Sequence, residues 1–294
     1  MKETRPTPRY SGIIDYLCNG FTPDRWPIWK DVLPNTRVKM RQNEGDTLLE
    51  PEQMVARMDE LGVATVLLVT TDIGAHGRLN PADFEHVANQ WDEAERLVAR
   101  WPGRFASLAV VNPSLGMAGL RQMRERLALP WVVGMYIHTH SWDRRFDHAD
   151  YYPYYALCSE FDVPIGMQAG YSGGLWPSEC GHAISIDRPA LYFPETRFIL
   201  SHTGWPWVDE TIAMALKFPN VYLGTASYPP RHWGQSLRDF IRGPGRKKTL
   251  FGTNFPTSGY HHTIGQLPEL QLPPDIESLL LRGNALSVFK RLVP

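Results

Sequence analysis

Cysteine is scarce in this chain. Three stand among 294 residues, Cys18, Cys158 and Cys180, and no two form a CxxC pair. An odd, scattered set excludes a disulfide scaffold and a zinc knuckle. An excess of one charge is missing too. Thirty basic residues face thirty-one acidic ones, so neither nucleic acid nor an anionic membrane is an expected partner. No apolar run approaches the roughly 18 residues of a membrane span, and the opening MKETRPTPRYSG holds no apolar signal core. Neither a glycine-rich phosphate loop nor a low-complexity tract interrupts the pattern. A soluble, reduced, cytoplasmic protein is the expectation.

What is present is alternation. Apolar residues make up 43% of the chain, enough for a full core. Eight apolar runs read as strands: Gly12–Cys18, Ala64–Thr71, Phe105–Val111, Trp131–His140, Val163–Gly170, Arg197–Gly204, Val221–Ala226 and Thr249–Pro256. Helical patterns stand between them, over Pro51–Leu61, Asn80–Arg100, Met117–Leu127, Tyr151–Phe161, near Arg188, Trp207–Phe218, Trp233–Arg242 and Asp275–Lys290. Pro51 opens the first of these and Gly62 stops it. Near-continuous apolar strands that alternate with helices imply a parallel sheet covered on its outside. Eight such units in this length predict a single α/β domain, a (β/α)8 TIM barrel spanning residues 1–294.

In such a barrel the chemistry gathers at the C-terminal ends of the strands. The polar residues there are Asp15 and Asn19, Thr71 and Asp72, Asn112, His138 and His140, Gln168, His202, Ser227 and Asn254. Alternation along a strand puts Asp15, Leu17 and Asn19 on one face and Cys18 on the other. It also groups Tyr136, His138 and His140. Cys18 is expected to pack against helices as a small hydrophobe. Cys180, two residues from His182, makes a loose couple with little claim to catalysis.

Five segments in order carry a resemblance to the amidohydrolase-related (amidohydrolase 2) family. IDYLCN (14–19) is similar to its strand-one I-D-x-H-x-H, and PIGMQAG (164–170) to its strand-five P-V-x-x-H-x-G. FILSHTGWPW (198–207) resembles the strand-six I-L-x-H-x-G-G, LFGTNFP (250–256) the strand-eight L-F-G-S-D-x-P, and RGNALSVFKR (282–291) the closing G-N-A-x-x-L-F. The resemblance implies a metal-dependent-hydrolase-like barrel, in a group that includes aromatic-acid decarboxylases, hydratases and lactonases. The departures are specific. Leu17 and Asn19 stand where the family has the strand-one histidines, Gln168 where it has the strand-five histidine, and Asn254 where it has the strand-eight aspartate. His202 alone is retained. Leucine has no lone pair to give and neutral amides bind transition metals weakly, so no metal is expected there.

The expected function is therefore that of a metal-independent hydrolase with no cofactor. Its substrate would be a small cyclic or aromatic metabolite bearing a carboxylate or carbonyl. His202 would work with His138 or His140 as acid and base. Asn19, Gln168, Asn254, Asp15 and Trp205 would hold the substrate, with Lys39 and Arg41 as a carboxylate clamp. Trp26, Trp29, Trp142, Tyr171 and Trp176 supply further aromatic surface. Three alternatives stay open. One is a lyase of the decarboxylase or hydratase kind. Another is a catalytically silent small-molecule-binding barrel. The third is a new metal site built from His138, His140, His182, His202, His261 or His262. Family members are often dimers, which allows a homodimer.

Overall fold

The computed structural model describes residues 7–25, 48–70, 90–174 and 176–292. Eight parallel strands follow one another in sheet order: β1 (Ile13–Cys18), β2 (Val63–Thr70), β3 (Phe105–Val110), β4 (Val132–Ile137), β5 (Ile165–Met167), β6 (Phe198–Leu200), β7 (Val221–Gly224) and β8 (Thr249–Leu250). Helices α1 (Pro51–Leu61), α2 (Gln90–Arg100), α3 (Gly116–Leu127), α4 (Tyr152–Phe161), α5 (Asp187–Tyr192), α6 (Val208–Lys217) and α7 (Gln235–Arg242) fill the connections. The short helices α8 (Tyr260–Ile264), α9 (Pro274–Ser278) and α10 (Asn284–Val288) follow β8. This is a (β/α)8 barrel.

Two apolar layers hold it. The outer one packs strand residues such as Ile13, Cys18, Met135 and Phe198 against the helices, while the inner one packs Ile14, Tyr16, Leu17, Leu108, Tyr136 and Ile199 along the axis. Cys18 sits in the outer layer, as alternation predicts. The parity predicted for the rest of β1 does not hold. Its pairing with β2 shifts register between Asp15 and Cys18, so Tyr16 and Leu17 both join the inner layer. A bulge adds one residue and breaks the two-residue period.

The strands also end earlier than the apolar runs do. β4 stops at Ile137 and the chain turns into a 3-10 helix over Thr139–Trp142. β6 stops at Leu200, ahead of a 3-10 turn at His202–Gly204. The predicted closing helix breaks at a π turn, Leu279–Gly283. Apolar content reports burial, and the turns at the barrel mouth are as buried as the strands below them.

The seam between β8 and β1 closes the barrel. Asn254 N–H donates to Leu17 O at 2.9 Å, Asn19 N–H to Phe255 O at 2.8 Å, and Cys18 and Phe255 form a parallel bridge. Asp15 ties this seam from inside. It is fully buried. One oxygen accepts from the N–H groups of Leu17 and Thr253, and the other from the hydroxyls of Thr253 and Tyr260, at 2.5 and 2.8 Å. Burial nevertheless raises its pKa from 3.8 to about 6, the four donors opposing the rise.

Asp15 generates a prediction with a definite sign. A carboxyl pKa raised by folding means the folded state holds the proton more tightly. The residue's contribution to stability is then full below about pH 4 and is lost as pH climbs through 6. Urea denaturation from pH 4 to 7 should show wild type losing on the order of 3 kcal/mol relative to Asp15→Asn across that window. A difference that stays constant with pH would refute the assignment.

Candidate functional site

The C-terminal ends of β4 and β6 carry three imidazoles. His138 follows β4, and its ring lies 5.9 Å from that of His140 and 5.2 Å from the Trp176 indole, edge to face in both cases. His202 follows β6 and acts electrostatically on His138. Burial is the main cause that pushes the His138 pKa well below 6.5, and the neighbouring His140 and His202 add to it. His140 is fully buried and lowered to about 4, with its hydrogen bond to the Gly170 carbonyl opposing the fall. Both imidazoles are neutral at pH 7.

His140 differs from the other two in its bonding. Its Nε2 lies 2.9 Å from Gly170 O, and a Cβ on Gly181 would come within 2.5 Å of that nitrogen. The ring is wedged between two backbone segments. It anchors the loop after β5. His138 leaves Nδ1 without a hydrogen bond among the described residues.

The turn that carries His202 is strained. His202, Thr203 and Gly204 follow one another at φ 59°, 55° and 74°. A non-glycine residue there costs about 1–2 kcal/mol. Gly204 has no alternative, because a Cβ would lie 1.9 Å from Thr211 Oγ1. Ser227 at 75° and Asn254 at 63° repeat the left-handed conformation after β7 and β8. Strain of this kind gathers where a fold holds side chains for a task.

At the opposite rim the amides are spoken for. Asn19 Nδ2 donates to Asn254 Oδ1 at 2.8 Å and to Phe255 O at 3.3 Å. Asn254 Nδ2 donates to Ser227 Oγ at 3.1 Å and Thr257 Oγ1 at 2.8 Å. The Asn254 oxygen that would face a cation therefore accepts an N–H instead. Leu17 is buried in the inner apolar layer. These positions do not fit the divalent ion that the resemblance implies, and among the described residues no three His, Cys, Asp or Glu gather to hold a metal. His182 pairs with Glu210 at 2.9 Å, His261 lies 3.0 Å from Glu60, and His262 lies 3.1 Å from Gln266.

Gln168 follows β5. Gly166, two residues earlier, borders the inner-layer ring of Tyr136, so alternation puts Gln168 on the inner face. Its side-chain amide makes no hydrogen bond among the described residues, which leaves it open to a ligand. Trp205 is 47% exposed and stands at the rim, 5.1 Å from Tyr171 and 6.0 Å from Tyr228. It also borders an outer cleft of about 350 Å³ with Thr203, Trp207 and His232. Lys39 and Arg41, and with them Trp26, Trp29, Thr71, Asp72 and Asn80, lie outside the described residues. Cys180 donates to Asp143 at 3.4 Å and its pKa is raised to about 12, mainly by burial, so it is no nucleophile. Sequence reasoning missed how Ser227 and Thr257 fix the Asn254 amide and how Trp176 packs on His138. No local signal announces either.

Comparison with known proteins places the chain. The amidohydrolase family model matches residues 56–291. No curated protein matches the sequence. Solved structures share the fold over almost the full length. An uncharacterized TIM-barrel protein from Bordetella bronchiseptica has a TM-score of 0.75 at 20% identity, over 96% of this chain and 99% of that one. A dihydroxybenzoic acid decarboxylase from Polaromonas, with manganese and 2-nitroresorcinol bound, scores 0.72 at 19% identity over 97% and 98%. A 5-carboxyvanillate decarboxylase from Novosphingobium aromaticivorans, with manganese and 4-hydroxy-3-methoxy-5-nitrobenzoic acid bound, scores 0.72 at 14% over 98% and 100%. With eight strands in barrel order, the histidine at the end of β6 and a model match over most of its length, this chain belongs to the amidohydrolase family.

Proposed function

We propose that this protein is a lyase, a non-oxidative decarboxylase of a small hydroxylated aromatic acid, working without the family's divalent ion. The hydrolase expected from the sequence gives way to this reading because the decarboxylases that share the fold are described as acting on such acids. The observation that carries the reading is His138 at the end of β4, with the His140 ring and the Trp176 indole against it and His202 at the end of β6 within electrostatic reach.

A buried neutral imidazole suits the proton traffic of this reaction. The substrate carboxylate, an anion beside His138 or His202, raises the imidazole's affinity for a proton. The imidazole takes the proton of the ring hydroxyl, and electron density moves onto the carbon that bears the carboxylate. The same proton is then delivered to that carbon. The carbon–carbon bond breaks, its electron pair restores the aromatic ring, and CO2 leaves. The phenolate product takes a proton from solvent. Burial makes the imidazolium a strong acid for the delivery step. Gln168 holds a substrate oxygen. The Asn19–Asn254 pair supplies a fixed rim.

A neutral imidazole is equally a general base for water, which keeps hydrolysis as the second reading. Gas or isotope detection of CO2 from a panel of hydroxybenzoates separates the two. His202→Ala and His138→Ala should each lower kcat/KM roughly a hundredfold or more, and unchanged turnover in both would discard the mechanism. The pH profile of kcat/KM should rise only below pH 6.5 and stay level to pH 8, because His138 and His140 lose their protons below their ordinary value. A rise centred at or above 6.5 would contradict it. Dialysis against a chelator should leave turnover unchanged, with no stoichiometric manganese or zinc by elemental analysis. Loss of activity that added metal restores would end the metal-free reading.

A further inference from the structure

Beneath the histidines the barrel interior carries hydroxyl groups that have no place in an apolar core. Tyr16 of β1, Tyr136 of β4 and Ser201 after β6 are all buried, at 0%, 3% and 0% exposure. Tyr136 stands two residues before His138 in the chain and Ser201 one before His202. Ser201 is close enough to both phenols to act against the rise that burial causes in their pKa values. Even so, neither Tyr16 Oη nor Ser201 Oγ completes a hydrogen bond among the described residues.

The fold makes room for this arrangement. A Cβ on Gly224 would lie 2.0 Å from Tyr16 Oη, and one on Gly252 would lie 2.5 Å from its ring. A Cβ on Gly166 would lie 2.7 Å from the Tyr136 ring. Strands β5 and β7 and the segment after β8 thus give up a side chain to admit two phenols. Phenylalanine would fill the same space without leaving a buried donor unmet, an omission that costs about 1–3 kcal/mol.

We propose that Tyr16, Tyr136 and Ser201 form the polar floor of the substrate site and hydrogen-bond the ring-hydroxyl oxygen of the bound aromatic acid. This deepens the aromatic-acid reading and rests on it. An acid without the hydroxyl leaves the floor unmet, so the three residues set specificity. The floor also positions the hydroxyl below His138 and His202.

The test uses Tyr16→Phe and Ser201→Ala in the full chain, with 2,6-dihydroxybenzoate and benzoate as probes in calorimetric binding. Wild type should bind the dihydroxy acid about tenfold more tightly than benzoate. Each variant should lose most of that preference while binding benzoate as before. Thermal melting of the ligand-free variants should be unchanged or raised, because a donor that no protein group meets is removed. If both variants melt lower, the hydroxyls are satisfied within the fold and the proposal is overturned. Equal binding of the two acids by wild type, or binding of neither, also overturns it. Preference without CO2 release leaves the floor standing and rejects only the lyase reading.

Discussion

The Asp15 carboxyl sits at 0% exposure where β8 meets β1, and four donors converge on its two oxygens. Three of these come from the far end of the chain, from Thr253 and Tyr260. A parallel barrel of this kind has one seam between its first and last strands, and that seam pays the largest loop-closure entropy. Burying a carboxyl here is costly. The return is geometric. With Thr253 fixed to Asp15, Asn254 lies opposite Asn19, and the rim of the mouth is held by a 2.8 Å amide–amide bond.

That bond joins two positions of the family's strand-one and strand-eight motifs. In the family motif these two positions carry a histidine and an aspartate. Here the same strand ends meet through N–H and C=O, and Ser227 and Thr257 orient the Asn254 amide. Each amide hydrogen on Asn254 has an acceptor and its oxygen has a donor, so the network is complete at that residue. Neutral partners need no compensating charge, which suits a mouth where burial also keeps His138 and His140 uncharged at pH 7.

On the other side of the mouth, desolvation governs. His138 and His140 are neutral because burial removes the water that would solvate an imidazolium, and crowding by a second and third imidazole works in the same direction. Left-handed residues at His202, Thr203, Ser227 and Asn254 turn the chain sharply at the ends of β6, β7 and β8. The stabilising seam lies below these turns. The strained backbone lies above, where the proposed substrate enters.

Strand-then-helix alternation made the barrel legible from residues alone, since burial on both faces of a parallel strand writes a continuous apolar run. The motif positions Asn19, Gln168, His202 and Asn254 were legible for the same reason, being strand ends. The bulge in β1 was not, because a one-residue register shift leaves the apolar pattern intact while it turns the neighbours Tyr16 and Leu17 both inward. His138 and His140 shared a strand face on paper, yet the strand ends at Ile137 and a 3-10 turn sends His140 to the Gly170 carbonyl. The amino-acid sequence by itself determined the barrel and the chemical types at its mouth, since hydrophobic periodicity and side-chain identity are local properties. Only the tertiary structure decided which groups meet and which are neutral or lack a bond. Those outcomes depend on distance and burial between strands far apart in the chain.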